Sequence, residues 1–501
     1  MPMAEKHLDQ LDVPARDLAE RSIAWMDGCW DEAAGLFRMP DDSIYEHGQA
    51  GVPGHLVRGT AWYALGLLLR GAPGDLARAC HAVATVLTYQ FDAPGQPYHG
   101  TWYRSPHEPP PPENPVVWKD YDPNWREFVG TTLALILLEY ESRLPADLVR
   151  RIDVALRRAI VGTLARNVPA SYTNIALMTA FVLEFGAARF GEPAWSATAE
   201  RLATEIRQRF RANTTFDEYN SPTYYGIDIY ALALWRSYAA SALLREAGAE
   251  MEATLWRDIA QFYHAGMRNV AGPYDRSYGM DMQHYVACLG MWIWQATGYE
   301  RAPFPRLDGP LEHAWDFAIA PLFALLGLQM PQDARLHFLA FQGERQVERV
   351  IAAEPRRVAT AWLGARAMLG AEDSSSSYRV GDDQFHPATI HWLAGVDTVG
   401  WIRIRSAVPV DARAERDHLS IASTQHAGGN LEFIFQIAAP EIDLAALQDD
   451  RWELPGLTLR METNCDGPTV TRNASLVELR YRARNIPAGV PIHFTLRTEH
   501  G

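Results

Sequence analysis

Apolar residues recur at helical spacing through the first two thirds of the chain. LDVPARDLAERSIAWMDGCW, GTAWYALGLLLRG, LARACHAVATVLTYQF, WREFVGTTLALILLEYESRL, PADLVRRIDVALRRAIVGTLARN, NIALMTAFVLEFGAARFG, PAWSATAERLATEIRQRFRAN, YALALWRSYAASALLREAG and MEATLWRDIAQFYHAGMRNV each read as one helix. Several end at Gly or begin near Pro, Asp or Ser, as capping requires. LEHAWDFAIAPLFALLGL adds one more helical piece. After about residue 331 the period shortens. LHFLAF, QVERVIAA, RVATAWLG, TIHWLAG, VGWIRIRS, LSIAST, LEFIFQIA, LTLRMET, SLVELRYRA and IHFTLRT are short, often alternating, and separated by turn residues. Helices first and strands second predict an α+β chain with segregated domains. An N-terminal (α/α) toroid, incomplete, is expected over residues 1–330, and an antiparallel β-sandwich over 331–501. DSSSS at 373–377 reads as an exposed polar loop.

Composition narrows the function classes. With 501 residues, 48% apolar and 21% charged, the chain is of ordinary globular make-up. A net charge of −15 repels phosphate backbones, so neither nucleic acid nor an anionic membrane is an expected partner. Cys29, Cys80, Cys288 and Cys465 lie far apart, with no CxxC pair. The N-terminal residues carry no secretory pattern, and no apolar run is long enough to span a bilayer. A cytoplasmic location is expected. GxGxxG after a strand, GxxxxGK[ST], HExxH and GxSxG are all missing, which lowers nucleotide-binding, zinc-protease and α/β-hydrolase readings. No cofactor or metal is expected.

Three long loops are rich in aromatic and polar residues: 98–125 (YHGTWYRSPHEPPPPENPVVWKDYDPNW), 213–226 (NTTFDEYNSPTYYG) and 272–285 (GPYDRSYGMDMQHY). Loops of this length in a compact domain are usually functional. Aromatic faces stack on pyranose rings and polar groups meet hydroxyls, so a glycan site is predicted. The competing reading is that the aromatics pack the loops down. The first loop offers His99, Asn124, Trp125 and Arg126 for substrate; the second offers Asn220, Tyr224 and Tyr225; the third offers Arg276, Tyr278 and His284. Pro222 suits a first helical turn, which sets Tyr224 at a helix N-terminus, where the backbone dipole favours a phenolate. Asn174 enters an apolar helix, either as an N-cap or as an amide donor to a carboxylate. Arg276 has the fork geometry to clamp a carboxylate, and His284 is of the residue type that serves as a general acid or base.

A helical toroid followed by an antiparallel sandwich resembles the heparinase III-like and alginate lyase-like polysaccharide lyases. Asn174 in YTNIALM is similar to their asparagine at a helix entry. Glu218, Ser221 and Tyr224 match a pattern E-x-x-S-x-x-Y-H, with Tyr225 where histidine is usual. STQHAGGNLEF is similar to a sandwich segment that brings a histidine to the cleft, making His426 the candidate and His418 the second. The resemblance departs at Ile175, which follows Asn174 where alginate lyases carry histidine. It implies β-elimination on a uronic-acid-containing poly- or oligosaccharide. Asn174 with Arg276 or Arg126 would neutralise the carboxylate. Tyr224 would act as base and acid, alone or with His284, His99 or His426. An epimerase shares the first half of that chemistry. A glycoside hydrolase on a similar ring would instead need a carboxyl pair from Asp122, Glu127, Asp217, Glu218, Asp275 and Asp281. A non-catalytic glycan binder would need only the aromatics.

Overall fold

The computed structural model describes residues 5–39, 54–374 and 382–499. Residues 375–377 of the polar DSSSS loop and the first four residues of the N-terminal segment lie outside that set. The helices are α1 (Val13–Gly28), α2 (Val57–Arg70), α3 (Asp75–Thr88), α4 (Trp125–Tyr140), α5 (Ala146–Arg166), α6 (Thr173–Phe190), α7 (Pro193–Asn213), α8 (Tyr224–Tyr238), α9 (Ala242–Phe262), α10 (Cys288–Thr297), α11 (Ala320–Leu326) and α12 (Gln332–Leu339). They sort into two kinds. Every residue of α4 except Leu138 is buried, as is every residue of α6 from Thr173 to Ala187 and of α8 from Tyr225 to Trp235. Helices apolar all round are enclosed by others. In contrast, α5 buries a stripe (Leu148, Ile152, Ala155, Leu156, Ala159, Ile160) and α7 another (Ala199, Leu202, Ala203, Ile206, Phe210). These are outer helices, dry on one face and wet on the other.

The strands are β1 (Trp30–Asp31), β2 (Leu36–Arg38), β3 (His55–Leu56), β4 (Tyr263–His264), β5 (Asn269–Val270), β6 (Arg345–Ala352), β7 (Arg357–Leu363), β8 (Ala367–Asp373), β9 (Ala388–Gly395), β10 (Thr398–Ser406), β11 (Asp411–Glu415), β12 (His418–Ser423), β13 (Gly429–Ala438), β14 (Arg451–Leu454), β15 (Leu457–Thr463), β16 (Asp466–Asn473), β17 (Leu476–Ile486) and β18 (Ile492–Glu499). Eight form one antiparallel sheet in the order β16-β17-β13-β10-β9-β8-β7-β6, and five form another, β11-β12-β18-β15-β14. Between them lies an apolar core that includes Trp392, Phe433, Phe435, Trp452, Tyr481 and Phe494. The fold is α+β: an (α/α) toroid followed by an antiparallel β-sandwich.

Some expectations change. LHFLAF, expected as a strand, lies mostly in α12, where Ala334 and Phe338 are buried four residues apart, one helical turn. YALALWRSYAASALLREAG breaks at Ala239–Ser241 into α8 and α9, and α9 runs on through most of the next segment. The chain divides into two compact units, one of Met1–Arg211, Tyr224–Ala253 and His284–Met330, the other of Ala212–Thr223, Thr254–Gln283 and Pro331–Gly501. Two stretches of the first 330 residues therefore group with the sandwich. Backbone pairing explains this: Tyr274 and His386 exchange N–H···O bonds of 3.1 and 2.9 Å, and the Ser277 N–H donates to Gln384 O at 2.9 Å.

Candidate functional site

The inner helices run parallel, and their hydrogen bonds show it. The Tyr230 hydroxyl donates to Thr131 Oγ1 at 3.0 Å, and the Tyr238 hydroxyl to Glu139 at 2.5 Å. The spacing between α8 and α4 is the same at both points, so Tyr224 stands level with Trp125. Between α4 and α6, Asn124 Nδ2 donates to the Tyr172 hydroxyl at 2.9 Å, and a Cβ on Gly130 would touch Val182. The start of α10 packs against α8, and Trp292 Nε1 donates to Gly226 O at 2.8 Å. One rim of the first unit thus collects the N-terminal ends of α2, α4, α6, α8 and α10. These are the positive ends of the helix dipoles, so the rim favours an anion on a protein of net negative charge.

Arg58, the second residue of α2, is a cation at this rim. Its guanidinium lies 4.7 Å from the Trp62 ring centre, 4.8 Å from Phe128 and 5.2 Å from Trp125. The nearest carboxylate, on Asp316, is 3.9 Å away. Burial pushes the Asp316 carboxyl up to about 6, with Arg58 opposing. Arg58 is therefore partly exposed, braced by three aromatic faces and incompletely neutralised. Sequence reading missed it because one arginine beside an apolar run carries no signal. Only the converging helices single it out.

Asn174 is the second residue of α6, not its cap; Tyr172 occupies the cap position. It is 1% exposed, and its Oδ1 is enclosed without a hydrogen-bond partner among the described residues. An unsatisfied buried amide oxygen costs about 1–3 kcal/mol. Tyr224 begins α8 and is half-buried, whereas Tyr225 is buried. His284 is exposed on the loop that leads into α10. Asn174, Tyr224 and Trp125 stand at helix starts on the rim that holds Arg58, and His284 precedes α10 by four residues.

Other predicted residues are committed elsewhere. Arg126 is 1% exposed, and its Nε donates to His99 O at 2.9 Å. Burial lowers its pKa; Nε and Nη2 hold the 97–99 turn, while Nη1 is enclosed without a hydrogen-bond partner among the described residues. His99 accepts from the Ala93 N–H at 3.1 Å, and desolvation lowers its pKa. Asn124 bridges Arg166 and Tyr172, so both ends of its amide are used. In the second unit, Asn220 spends both amide hydrogens on Ala271 O and Pro273 O, at 2.7 and 2.8 Å. Arg276 pairs with Glu218 at 2.6 Å and donates to Gln384 at 3.1 Å, and Tyr278 is half-buried beside it in sequence. Both ring nitrogens of His426 are engaged by backbone: Nε2 lies 2.9 Å from Val490 O, and Nδ1 accepts from the Gly428 N–H at 3.2 Å. It ties two loops of the sandwich together. His418 pairs with Glu415 at 3.2 Å.

The carboxyl candidates separate in the same way. Asp275 pairs with Arg357, and Glu218 with Arg276. Glu127 is fully enclosed, accepts from Thr163 at 2.8 Å, and is raised by burial. Desolvation also raises Asp122, against the Asn124 N–H and the charges of Arg58, Arg104 and Arg166. Among the described residues, no group of three or more His, Cys, Asp and Glu is placed to hold a metal ion. None of the described helices is long and apolar enough to cross a membrane.

Helical toroid plus sandwich defines the class of architecture. Residues 16–327 match the model of the Domain of unknown function (DUF8769), and the chain belongs to that family. Residues 344–477 match the Domain of unknown function (DUF8770). No curated protein matches the sequence. Among solved structures, the chain is similar to the chondroitin AC lyase of Streptomyces coelicolor A3 in complex with chondroitin sulphate, at 12% identity and a TM-score of 0.46, over 100% of this chain and 80% of that one. It is similar to heparinase III at 10% identity and a TM-score of 0.45, over 98% and 86%. The heparan sulfate lyase HepC of Pedobacter heparinus is 11% identical, with a TM-score of 0.35 over 99% and 84%. These are likenesses of fold.

Proposed function

We propose that the chain is a carbohydrate lyase that cleaves a uronic-acid-containing poly- or oligosaccharide by β-elimination. The observation that supports this reading most is the shared rim of Arg58, Asn174 and Tyr224. The proton on C5 of a uronate is weakly acidic because it adjoins the carboxylate. Neutralising that carboxylate stabilises the enolate-like transition state, and each preorganised donor can contribute about 2.7–4 kcal/mol. Arg58 takes this role in place of Arg276, which is paired with Glu218, and of Arg126, which is buried against the 97–99 turn. Asn174 offers its amide hydrogens to the same group. Tyr224, as phenolate, removes the C5 proton. The C4–O4 bond then breaks, its electron pair leaves with O4, and a C4–C5 double bond forms. Tyr224 or His284 returns a proton to O4.

A second reading, hydrolysis, draws on Asp122 and Asp316, which both feel Arg58 and are both raised by burial. A raised carboxyl is what a general acid requires. Incubation with a panel of uronate glycans separates the two. Elimination gives an unsaturated uronate absorbing in the near ultraviolet; hydrolysis gives reducing ends with no such absorbance.

A further inference from the structure

The aromatic loop of residues 98–125 divides sharply. Trp102, Tyr121 and Trp125 are buried, Trp125 beside the Arg58 guanidinium. Trp118 is different: it is 53% exposed, beside Val116 at 54% and Val117 at 38%. Its backbone has φ 63°, in the left-handed region. A bulky residue in that conformation is strained and persists only where its surroundings impose it. Here they do. The Trp118 N–H donates to Tyr121 O at 2.8 Å, and Arg104 Nη1 donates to Trp118 O at 2.9 Å. Arg104 Nη2 donates to Lys119 O at 2.7 Å. Arg104 is itself fixed by Glu108, whose Oε2 accepts the Arg104 N–H at 2.6 Å. The same Arg104 accepts, through its carbonyl, the Val57 N–H at 3.2 Å. Val57 directly precedes Arg58, so one residue links the exposed indole to the start of the helix carrying the rim cation.

We propose that Trp118 and the exposed Lys119 form a distal subsite for an acidic glycan, one or more sugar residues away from the ring that reacts. The indole takes the apolar face of a pyranose, and Lys119 meets a carboxylate on that ring or the next. A rigid platform suits this ligand, because little side-chain freedom is lost on stacking. The pairing of an apolar face with a cation on an acidic protein favours a uronate chain over a second copy of this protein. The inference rests on the lyase reading and names where its longer substrates bind.

The test compares wild type with Trp118→Ala, Trp118→Gly and Lys119→Gln on a uronate disaccharide and on oligosaccharides of increasing length. For Trp118→Ala, the ratio of kcat/KM on long to short substrates is expected to fall about tenfold, mostly through KM. Trp118→Gly should lose the same ratio while melting no lower than wild type, since glycine accepts the left-handed backbone. Lys119→Gln should reduce the salt dependence of KM on long substrates only. Equal losses at every length, no loss at any length, or a lower melting temperature for Trp118→Gly would overturn the subsite. So would a wild-type dimer that Trp118→Ala converts to monomer. If wild type releases no unsaturated product from any glycan, the lyase reading fails. Calorimetric titration with the same oligosaccharides then decides the subsite separately: weaker binding by Trp118→Ala upholds it, and equal or undetectable binding overturns it.

Discussion

The Arg58 guanidinium lies 5.2 Å from the centre of the Trp125 ring, at the end of the toroid where the inner helices begin. Trp62 and Phe128 close in from the other sides at 4.7 and 4.8 Å. The cation is thus oriented by aromatic faces rather than cancelled by a tight ion pair, and it remains available to a ligand anion. Replacement of Arg58 by Met is expected to lower kcat/KM on a uronate substrate by about 10²–10³-fold. Arg58→Lys should recover only part of this, because an ammonium lacks the planar fork that matches a carboxylate. Steady-state kinetics on the two variants check both statements.

Asn174 supplies a sharper contrast. A structural cap stabilises the helix it begins, whereas a buried amide with an unsatisfied oxygen costs stability. Asn174→Ala is therefore expected to melt no lower than wild type while activity falls by about 10²-fold. Tyr224→Phe should reduce turnover by about 10²–10⁴-fold with the fold intact. Thermal unfolding measured beside the kinetics separates the outcomes. A large stability loss in Asn174→Ala would return Asn174 to a purely structural role.

Asp316 makes a prediction about pH. Burial raises its folded-state pKa to about 6 from an ordinary aspartate value. The folded state thus holds this proton more tightly than the unfolded chain does. That contribution is complete below the ordinary carboxylate range and is lost as pH rises through 6. The shift corresponds to about 3 kcal/mol. Relative to Asp316→Asn, wild type should lose up to about that much stability between pH 4 and 7. Denaturant unfolding of both proteins across that range measures it.

In the sandwich unit, Arg357 joins Asp275 at 2.5 Å and Glu372 at 2.7 Å, and all three side chains are buried. Removing the cation leaves two carboxyl groups without it. Arg357→Met is expected to cost about 3–5 kcal/mol, read as a lower denaturation midpoint at neutral pH.

How much of this the sequence carried can be traced residue by residue. Helices such as α5 and strands such as β13 show clear periods, so the order of elements was legible. LHFLAF was not, because its few apolar residues fit either period and only the burial of Ala334 and Phe338 decides between them. The positions of Asn174 and Tyr224 at helix starts were legible. Arg126, Arg276 and Asn220 belong to the same polar loops but turn inward to hold carbonyls or a carboxylate, and no local pattern distinguishes a loop tie from a ligand contact. The surroundings on which the proposals for Arg58 and Trp118 rest were not legible, because they come from partners distant in sequence, the aromatic rings around one and Arg104 bonded to the other.

Mass spectrometry of the products tests the central claim most directly. When a uronate oligosaccharide is cut once, the two fragment masses should sum to the mass of the intact substrate, with the unsaturated end on one fragment. Fragments that together gain one water would contradict elimination and leave Asp122 and Asp316 as the groups to pursue.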